Sequence, residues 1–336
     1  MKKIYTSLKE FIKGEYKFLI FLILLYIILN YPLNYYIVTG GGTSDVSSRI
    51  KVEEGYSEKG SFNISYVTEL QGTVLTYLFS YIIPTWERED ANLYKYNDKE
   101  SIDDIEFRSN LDLKTSNGNA TYWAYTKAGK EVKEKSSKLH IITVFEGYKT
   151  PLKVGDEVLS INNHNYNTVN EYREYIQTLN ENEEAVIKIK RNNKEKEIKS
   201  KIYKYKDRLI LGVGLQFVRE YNTNPNVKIK FKSSESGPSG GLITTLELYN
   251  QLTKKDITKG LKITGTGTIE EDGTIGEIGG VEHKLLGAVS SKSDIFLVPD
   301  GQNYKDAIKY KKDKNLKIKI IKVKTIDEAL EKINNL

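Results

Sequence analysis

An uncharged stretch near the N-terminus limits most strongly what this 336-residue chain can fold into. No Asp, Glu, Lys or Arg occurs between Lys17 and Asp45, and residues 18–38 are largely apolar. As a helix rising ~1.5 Å per residue, that segment reaches about 31 Å, which matches a hydrocarbon core of ~30 Å. The sequence therefore predicts a single transmembrane anchor over residues 18–38.

The charges before this segment predict its orientation. Residues 1–17 contain five lysines and two glutamates, and an excess of basic residues marks the cytoplasmic side of a membrane helix. We therefore expect residues 1–17 to form a cytoplasmic tail and everything after the anchor to be extracytoplasmic. The alternative is a cleaved signal peptide, with residues 18–29 as its apolar core and residues 38–40 as a small-residue cleavage site.

Composition excludes several classes of site. The chain has no cysteine, which excludes disulfide scaffolds, thiol proteases, Fe–S clusters and cysteine-ligated zinc. The three histidines (His140, His164 and His283) do not occur at metal-ligand spacing. The net charge of +6 is spread over alternating basic and acidic residues, as in solvated strand faces, and no nucleic-acid-binding motif is present. No cofactor, metal or nucleic acid is expected.

The middle of the chain divides into a linker and two folded regions. Residues 39–48 are a Gly/Ser-rich linker. Strand-like runs follow, so residues 49–130 are predicted to be a β-rich region, with a short helix over 120–129. Residues 131–205 then combine strands, glycine turns and an amphipathic helix.

This second region resembles a PDZ domain, most sharply over residues 155–163, where a glycine turn, an Asp, a strand and an Asn turn follow in order. PDZ domains bind an extended peptide by adding it as a strand to a sheet edge. The resemblance therefore implies a peptide or protein partner. The alternative is a spacer between domains that binds nothing.

Residues 206–336 alternate strands with helices, which predicts a mixed α/β (α+β) fold with helices covering a sheet. Within it, Ser239 stands in the sequence Gly-Pro-Ser-Gly-Gly between a strand and a helix. Small neighbours expose its hydroxyl, and N–H groups at a helix start can bind a developing oxyanion. The same pentapeptide fits a plain tight turn. It also fits the G-x-S-x-G elbow of α/β-hydrolases, an esterase alternative for which His283 is the single later histidine.

A serine can also be activated by a neutral lysine. Free lysine has a pKa of ~10.4, so a catalytic lysine must be buried enough to lower it towards ~7–8. Lys284 follows a double glycine at the start of a predicted helix, with apolar Val281, Leu285 and Ala288 beside it. The alternative is an ordinary surface lysine on a helix.

Three blocks resemble the proteolytic domain of the Lon family of Ser-Lys proteases (peptidase family S16). They are Gly-Pro-Ser-Gly-Gly at 237–241, Ile-Thr-Gly at 263–265 and Ile-Gly-Gly-x-x-x-Lys-Leu-Leu at 278–286. The resemblance implies that Ser239 is the nucleophile and Lys284 the general base.

The resemblance also implies a role for Thr264, whose position is where the family often has a hydroxyl that orients the lysine. Two positions depart from the family pattern. Gly240 stands where alanine is more frequent, and Ser236 stands where many relatives have an acidic residue. Neither departure removes the dyad.

The order of anchor, PDZ-like domain and Lon-type domain resembles the membrane-anchored PDZ–Lon proteases of Gram-positive bacteria. No G-x-x-x-x-G-K-[ST] motif is present, so ATP-driven unfolding is not expected. The resemblance implies an ATP-independent extracytoplasmic serine endopeptidase that cleaves unstructured peptides or exposed tails, with a homo-oligomer possible for a Lon-type domain. The competing hypothesis is a catalytically inactive PDZ-bearing membrane adaptor.

Overall fold

A computed structural model of the chain describes residues 2–232 and 235–336, with side chains described from residue 11 onward. The helices are α1 (Lys2–Leu29), α2 (Val74–Phe79), α3 (Ile102–Lys127), α4 (Val169–Gln177), α5 (Gly241–Leu252), α6 (Val281–Ser290), α7 (Gln302–Asp313) and α8 (Ile326–Asn334). The strands before α3 are β1 (Pro32–Thr39), β2 (Thr43–Asp45), β3 (Ile50–Val52), β4 (Ser61–Ser65), β5 (Thr68–Thr73) and β6 (Trp86–Asp90). Those between α3 and α5 are β7 (Glu131–Val144), β8 (Glu157–Ile161), β9 (Glu184–Arg191), β10 (Lys194–Lys201), β11 (Tyr203–Tyr205), β12 (Arg208–Ile210), β13 (Val213–Asn224) and β14 (Val227–Ile229), and the last are β15 (Lys262–Gly265), β16 (Ile295–Pro299) and β17 (Lys319–Val323).

The chain forms two compact units, and the smaller one comprises Met1–Gly40 and Thr68–Tyr94. Its centre is an antiparallel sheet in the order β5-β1-β6. Ile37 and Val38 of the middle strand are 0% and 2% exposed. The second half of the uncharged stretch therefore supplies the buried strand of a small sheet.

The prediction of one apolar helix over residues 18–38 is wrong, because α1 ends at Leu29 and β1 begins at Pro32. The Asn30 side-chain amide donates to the Tyr26 carbonyl oxygen at 2.9 Å and terminates the helix. Proline lacks an N–H and disfavours helical geometry in the residue before it, so the chain leaves the helix here. Among the described residues, no helix is both long enough and apolar enough to cross a membrane. The extracytoplasmic location is not tested by this finding and stays a prediction.

The larger unit comprises Gly41–Val67 and Lys95–Leu336. One of its sheets has the order β17-β16-β15-β4-β2, in which β4, β15, β16 and β17 are parallel and β2 is antiparallel. Its core contains Phe62 of β4, Leu242 of α5 and Ile263 of β15, each 0% exposed. Residues that precede the PDZ-like region therefore complete the sheet of the C-terminal region, a long-range pairing that local sequence patterns do not reveal.

The expectation of a β-rich region over 49–130 is wrong for its second half, where α3 runs from Ile102 to Lys127. Ser101 caps this helix, since its hydroxyl accepts from the Asp104 N–H at 3.2 Å while the Asp104 carboxylate accepts from the Ser101 N–H at 3.1 Å. The helix contains Gly118 because a Cβ there would lie 2.5 Å from the Arg219 carbonyl oxygen. Packing against its neighbours, rather than helix propensity, therefore stabilises α3.

The PDZ-like region forms a second sheet in the order β10-β9-β8-β7-β13, covered by α4. The aspartate of its glycine turn, Asp156, is 1% exposed. Its carboxylate accepts from Arg191 Nε and Nη2 at 2.6 Å each and from the Lys153 N–H at 2.9 Å. A buried carboxylate must be paired and hydrogen-bonded, so this bidentate pair explains the Gly155-Asp156 turn.

Candidate active site

Ser239 lies in the tight loop that leads into α5, and the structure leaves it half-buried. Gly237 has a φ of +82°, in the left-handed region that favours glycine. Its N–H donates to the Ser109 carbonyl oxygen of α3 at 2.9 Å, and the Gly241 N–H donates to the Pro238 carbonyl oxygen at 3.1 Å. The loop is therefore fixed on both sides of the serine.

The segment after β15 holds the backbone of the serine. The Gly267 N–H and the Thr266 hydroxyl donate to the Ser239 carbonyl oxygen at 2.8 and 3.2 Å. The Leu242 N–H in turn donates to the Gly267 carbonyl oxygen at 3.1 Å. Within the described residues, the N–H groups of Ser239 and Gly240 make no hydrogen bond. Amides at a helix start in this state can bind an oxyanion.

Lys284 lies in the first turn of α6 and is 4% exposed. Gly280, with a φ of +66°, begins the helix, and its carbonyl oxygen accepts from the Lys284 N–H at 3.1 Å. Val281 and Leu285 of the same helix belong to an apolar cluster. Burial among such residues disfavours a charged ammonium group, so Lys284 is not the solvated surface lysine of the alternative interpretation.

Strand β4 connects the two candidate residues. The Ser65 hydroxyl donates to the Lys284 carbonyl oxygen at 2.6 Å. Its neighbour Ile64 packs against the nucleophile loop, because a Cβ at Gly240 would lie 2.8 Å from Ile64 Cδ1. Adjacent residues of one strand thus contact the loop of Ser239 and the helix of Lys284, and the structure brings the two elements to one end of the sheet.

The other sequence candidates are placed differently. The Thr264 hydroxyl shares a 2.6 Å hydrogen bond with the Ser293 hydroxyl, and both groups are buried. The lysine-orienting role of Thr264 therefore stays a prediction. His283 precedes Lys284 in α6 and is half-buried. Within the described residues, no group of three or more His, Asp or Glu side chains could hold a metal ion.

Sequence reasoning missed the residues that position the dyad, namely Ser65 and Thr266. Thr266 lies two residues after Thr264, and alternate residues of an extended segment share one face. That spacing was a usable signal. Ser65 gave none, because its contact with Lys284 joins residues 219 positions apart.

The comparison with known proteins identifies two domains. Residues 227–335 match the Lon protease (S16) C-terminal proteolytic domain, and residues 128–202 match the PDZ domain. The chain therefore contains a Lon-type proteolytic domain and a PDZ domain.

Individual relatives agree with the first of these matches. The Lon protease of Xanthomonas oryzae pv. oryzae is 31% identical over 121 residues, covering 36% of this chain and 14% of the relative. The Lon protease of Trichlorobacter lovleyi is 35% identical over 97 residues, covering 29% of this chain and 12% of the relative. This chain thus spans about one eighth of the length of these relatives. Among solved structures, the PDZ domain of the SdrC-like protein from Listeria monocytogenes is 18% identical, with a TM-score of 0.22, covering 25% of this chain and 92% of that one.

The structure explains why glycine is suitable at position 240, where the Lon pattern more often has alanine. Its φ of −91° does not require glycine, but a Cβ would press on Ile64 Cδ1 at 2.8 Å. We expect Gly240→Ala to lower the free energy of unfolding by about 1 kcal/mol, and Ile64→Val, which removes that methyl group, to restore it in the double variant. Urea unfolding of the three variants measures this, and equal losses in the single and double variants would contradict it.

Proposed function

We propose that this protein is an ATP-independent serine endopeptidase in which Ser239 is the nucleophile and Lys284 the general base. The observation that carries the proposal is the pairing of a buried Lys284 with the loop of Ser239 through β4, inside the segment that matches the Lon proteolytic domain. A buried amine next to a serine at a helix start is the arrangement that nucleophilic catalysis requires.

In the proposed reaction, the Ser239 Oγ attacks a peptide carbonyl carbon while neutral Lys284 Nζ takes the hydroxyl proton. The oxyanion that forms binds the N–H groups of Ser239 and Gly240, which costs no reorganisation because the loop is already fixed. The tetrahedral intermediate collapses as the Lys284 ammonium group protonates the leaving amine. Water then attacks the acyl-enzyme, again losing its proton to Lys284, and restores the serine.

The PDZ domain is proposed to present the substrate. Its strand β13 lies at the edge of the sheet, with β7 on one side and no described strand on the other. A peptide can add to such an edge as a further strand. Since no P-loop is present in the sequence, we propose that substrates are unstructured peptides or exposed tails.

Replacement of the nucleophile tests the proposal. The purified chain, an unstructured peptide library and no ATP are incubated, and products are read by mass spectrometry. We expect Ser239→Ala to lower the rate of peptide cleavage by at least ~10³-fold, because the alcohol that forms the acyl-enzyme is lost.

The matched control is Ser236→Ala, a second serine of the same loop that is exposed, and it should cleave like the wild type. Cleavage that survives in Ser239→Ala would overturn the proposed nucleophile. Peptide capture without cleavage by the wild type would instead favour the inactive adaptor.

A further inference from the structure

A cavity of about 560 Å³ adjoins the nucleophile loop. Its walls come from α3, from the start of α4, from β13, from Pro238 and from residues 268–271. It therefore lies between the PDZ domain and the proteolytic domain, within one compact unit. Its volume falls within the range of ~300–1,000 Å³ found for ligand pockets. Because Pro238 precedes Ser239, a peptide whose scissile bond lies at Ser239 would extend past this cavity.

The polar contacts of α3 fix the walls. The Ser116 hydroxyl donates to the Pro238 carbonyl oxygen at 3.0 Å, and Asn119 Nδ2 donates to the Ile269 carbonyl oxygen at 2.9 Å. Gln216 Nε2 of β13 donates to Asp112 Oδ1 and to Thr115 Oγ1 at 3.0 Å each. All three elements around the cavity are thus joined by hydrogen bonds, so the cavity is preformed.

The charge of the lining is one-sided. It includes the carboxylates of Asp112, Glu270 and Glu271, whereas no lysine, arginine or histidine belongs to it. Arg219 pairs with Glu271 at the rim, and Arg108, one turn before Asp112, is paired with Glu100. Two carboxylates, those of Asp112 and Glu270, therefore lack a neighbouring cation in the lining.

Asp112 and Glu270 also affect each other. Burial raises the pKa of the Asp112 carboxyl and the Glu270 carboxylate raises it further, while the hydrogen bond from Gln216 and the charge of Arg108 lower it. No described residue donates a hydrogen bond to Asp112 Oδ2, and Glu270 Oε1 accepts from the Thr268 hydroxyl at 2.6 Å. A cation between the two carboxylates would relieve their repulsion and supply the missing donors.

We infer that this cavity is a specificity pocket that binds a lysine or arginine side chain of the peptide substrate, close to the scissile bond, through Asp112 and Glu270. The inference rests on the proposed endopeptidase function. The long apolar stem of such a side chain packs against Leu215, Phe217 and Ile269, which also line the cavity. The β13 edge that would hold the peptide backbone thus continues into the pocket that selects its side chain.

The test compares matched peptides. Mass spectrometry of library cleavage identifies the preferred residue at each position around the cleaved bond, and the best substrate is then made with lysine or with uncharged norleucine at the position of interest. Asp112→Asn and Glu270→Gln should each lower kcat/KM for the lysine peptide about 10- to 100-fold and leave that for the norleucine peptide unchanged. Glu270→Lys, at an exposed position that tolerates a long side chain, should shift the preference towards glutamate.

Asp103→Asn is the control, because Asp103 is an exposed carboxylate of the same helix outside the cavity. Ser239-dependent cleavage without any preference for a cationic residue would overturn the pocket and leave the proposed function standing. If the wild type cleaves nothing, the proposed function fails, and binding of both peptides to Ser239→Ala, measured by fluorescence anisotropy, decides the pocket. Tighter binding of the lysine peptide that disappears in Asp112→Asn supports it, and equal binding of both peptides overturns it.

Discussion

Lys284→Met is expected to lower kcat for peptide cleavage about 10³-fold while the protein stays folded. Methionine has nearly the length and volume of the lysine stem, so it fits a position that is 4% exposed. It removes the amine that accepts the serine proton, and a positioned general base contributes ~10²–10⁴-fold. The Ser65 hydrogen bond is retained, because it goes to the backbone carbonyl oxygen of residue 284.

Two further variants separate the role of base from that of positive charge. Lys284→Arg keeps a cation that cannot lose its proton at working pH, so it should be as inactive as Lys284→Met. His283→Ala should retain activity, whereas an esterase that uses the G-x-S-x-G elbow would lose it. Steady-state kinetics with one library-derived peptide measures all three, and circular dichroism checks that each variant is folded. Full activity in Lys284→Met would remove the dyad.

Glu247→Gln is expected to remove most of a pH-dependent loss of stability. Glu247 of α5 is 0% exposed, and burial raises its pKa to about 7. Burial, followed by repulsion from Glu247, raises the pKa of the neighbouring Glu58 carboxyl to about 8. Within the described residues, Glu247 Oε2 has no hydrogen-bond donor. We therefore expect the pair to keep a proton between the two carboxyl groups at neutral pH.

The sign of the effect follows from linkage. The folded state binds these protons more tightly than the unfolded chain, whose glutamates titrate near ~4.3. The stabilisation is therefore complete below about pH 4.5 and is lost as the pH rises through ~7–8. One pKa unit corresponds to about 1.4 kcal/mol, so we expect the wild type to lose roughly 2–3 kcal/mol between pH 5 and pH 8.

In Glu247→Gln, the amide oxygen still accepts from Gln251 Nε2, as the carboxylate does, and the amide N–H₂ donates to Glu58. The variant should match the wild type at pH 5 and exceed its free energy of unfolding by about 1–2 kcal/mol at pH 8. Urea unfolding followed by the fluorescence of Trp123, which packs against the same core, measures the difference. Glu54→Gln, at an exposed position, is the control. Parallel pH profiles for Glu247→Gln and the wild type would contradict the prediction.

The sequence carried the local features of the C-terminal region well. The Gly-Pro-Ser-Gly-Gly loop before a helix was predicted over 237–241, and the structure has Ser239 in a tight loop that leads into α5. The double glycine before Lys284 was read as a helix start, and α6 begins at Val281. Such features depend on neighbouring residues, because backbone sterics and capping act over a few positions.

Local patterns failed where long-range packing decides the structure. Helix α3 contains Ser109, Asn110, Asn117 and Gly118, residues of low helix propensity, so its sequence predicted no long helix. It forms because Ala120, Ala124 and Tyr125, each 0% exposed, pack into the core of the proteolytic domain. The uncharged stretch failed for the related reason that part of it is buried in a β-sheet rather than in a helix.

The sequence by itself determined the identity of the candidate dyad, since the residue types and their spacing in three blocks are local information. Only the tertiary structure decided what surrounds it. Strand β4, more than 170 residues before Ser239 in the chain, links the loop of Ser239 to the helix of Lys284, and α3 and β13 form the acidic cavity beside Pro238. Burial and contact depend on residues distant in sequence, because a core is closed only when all of its elements pack together.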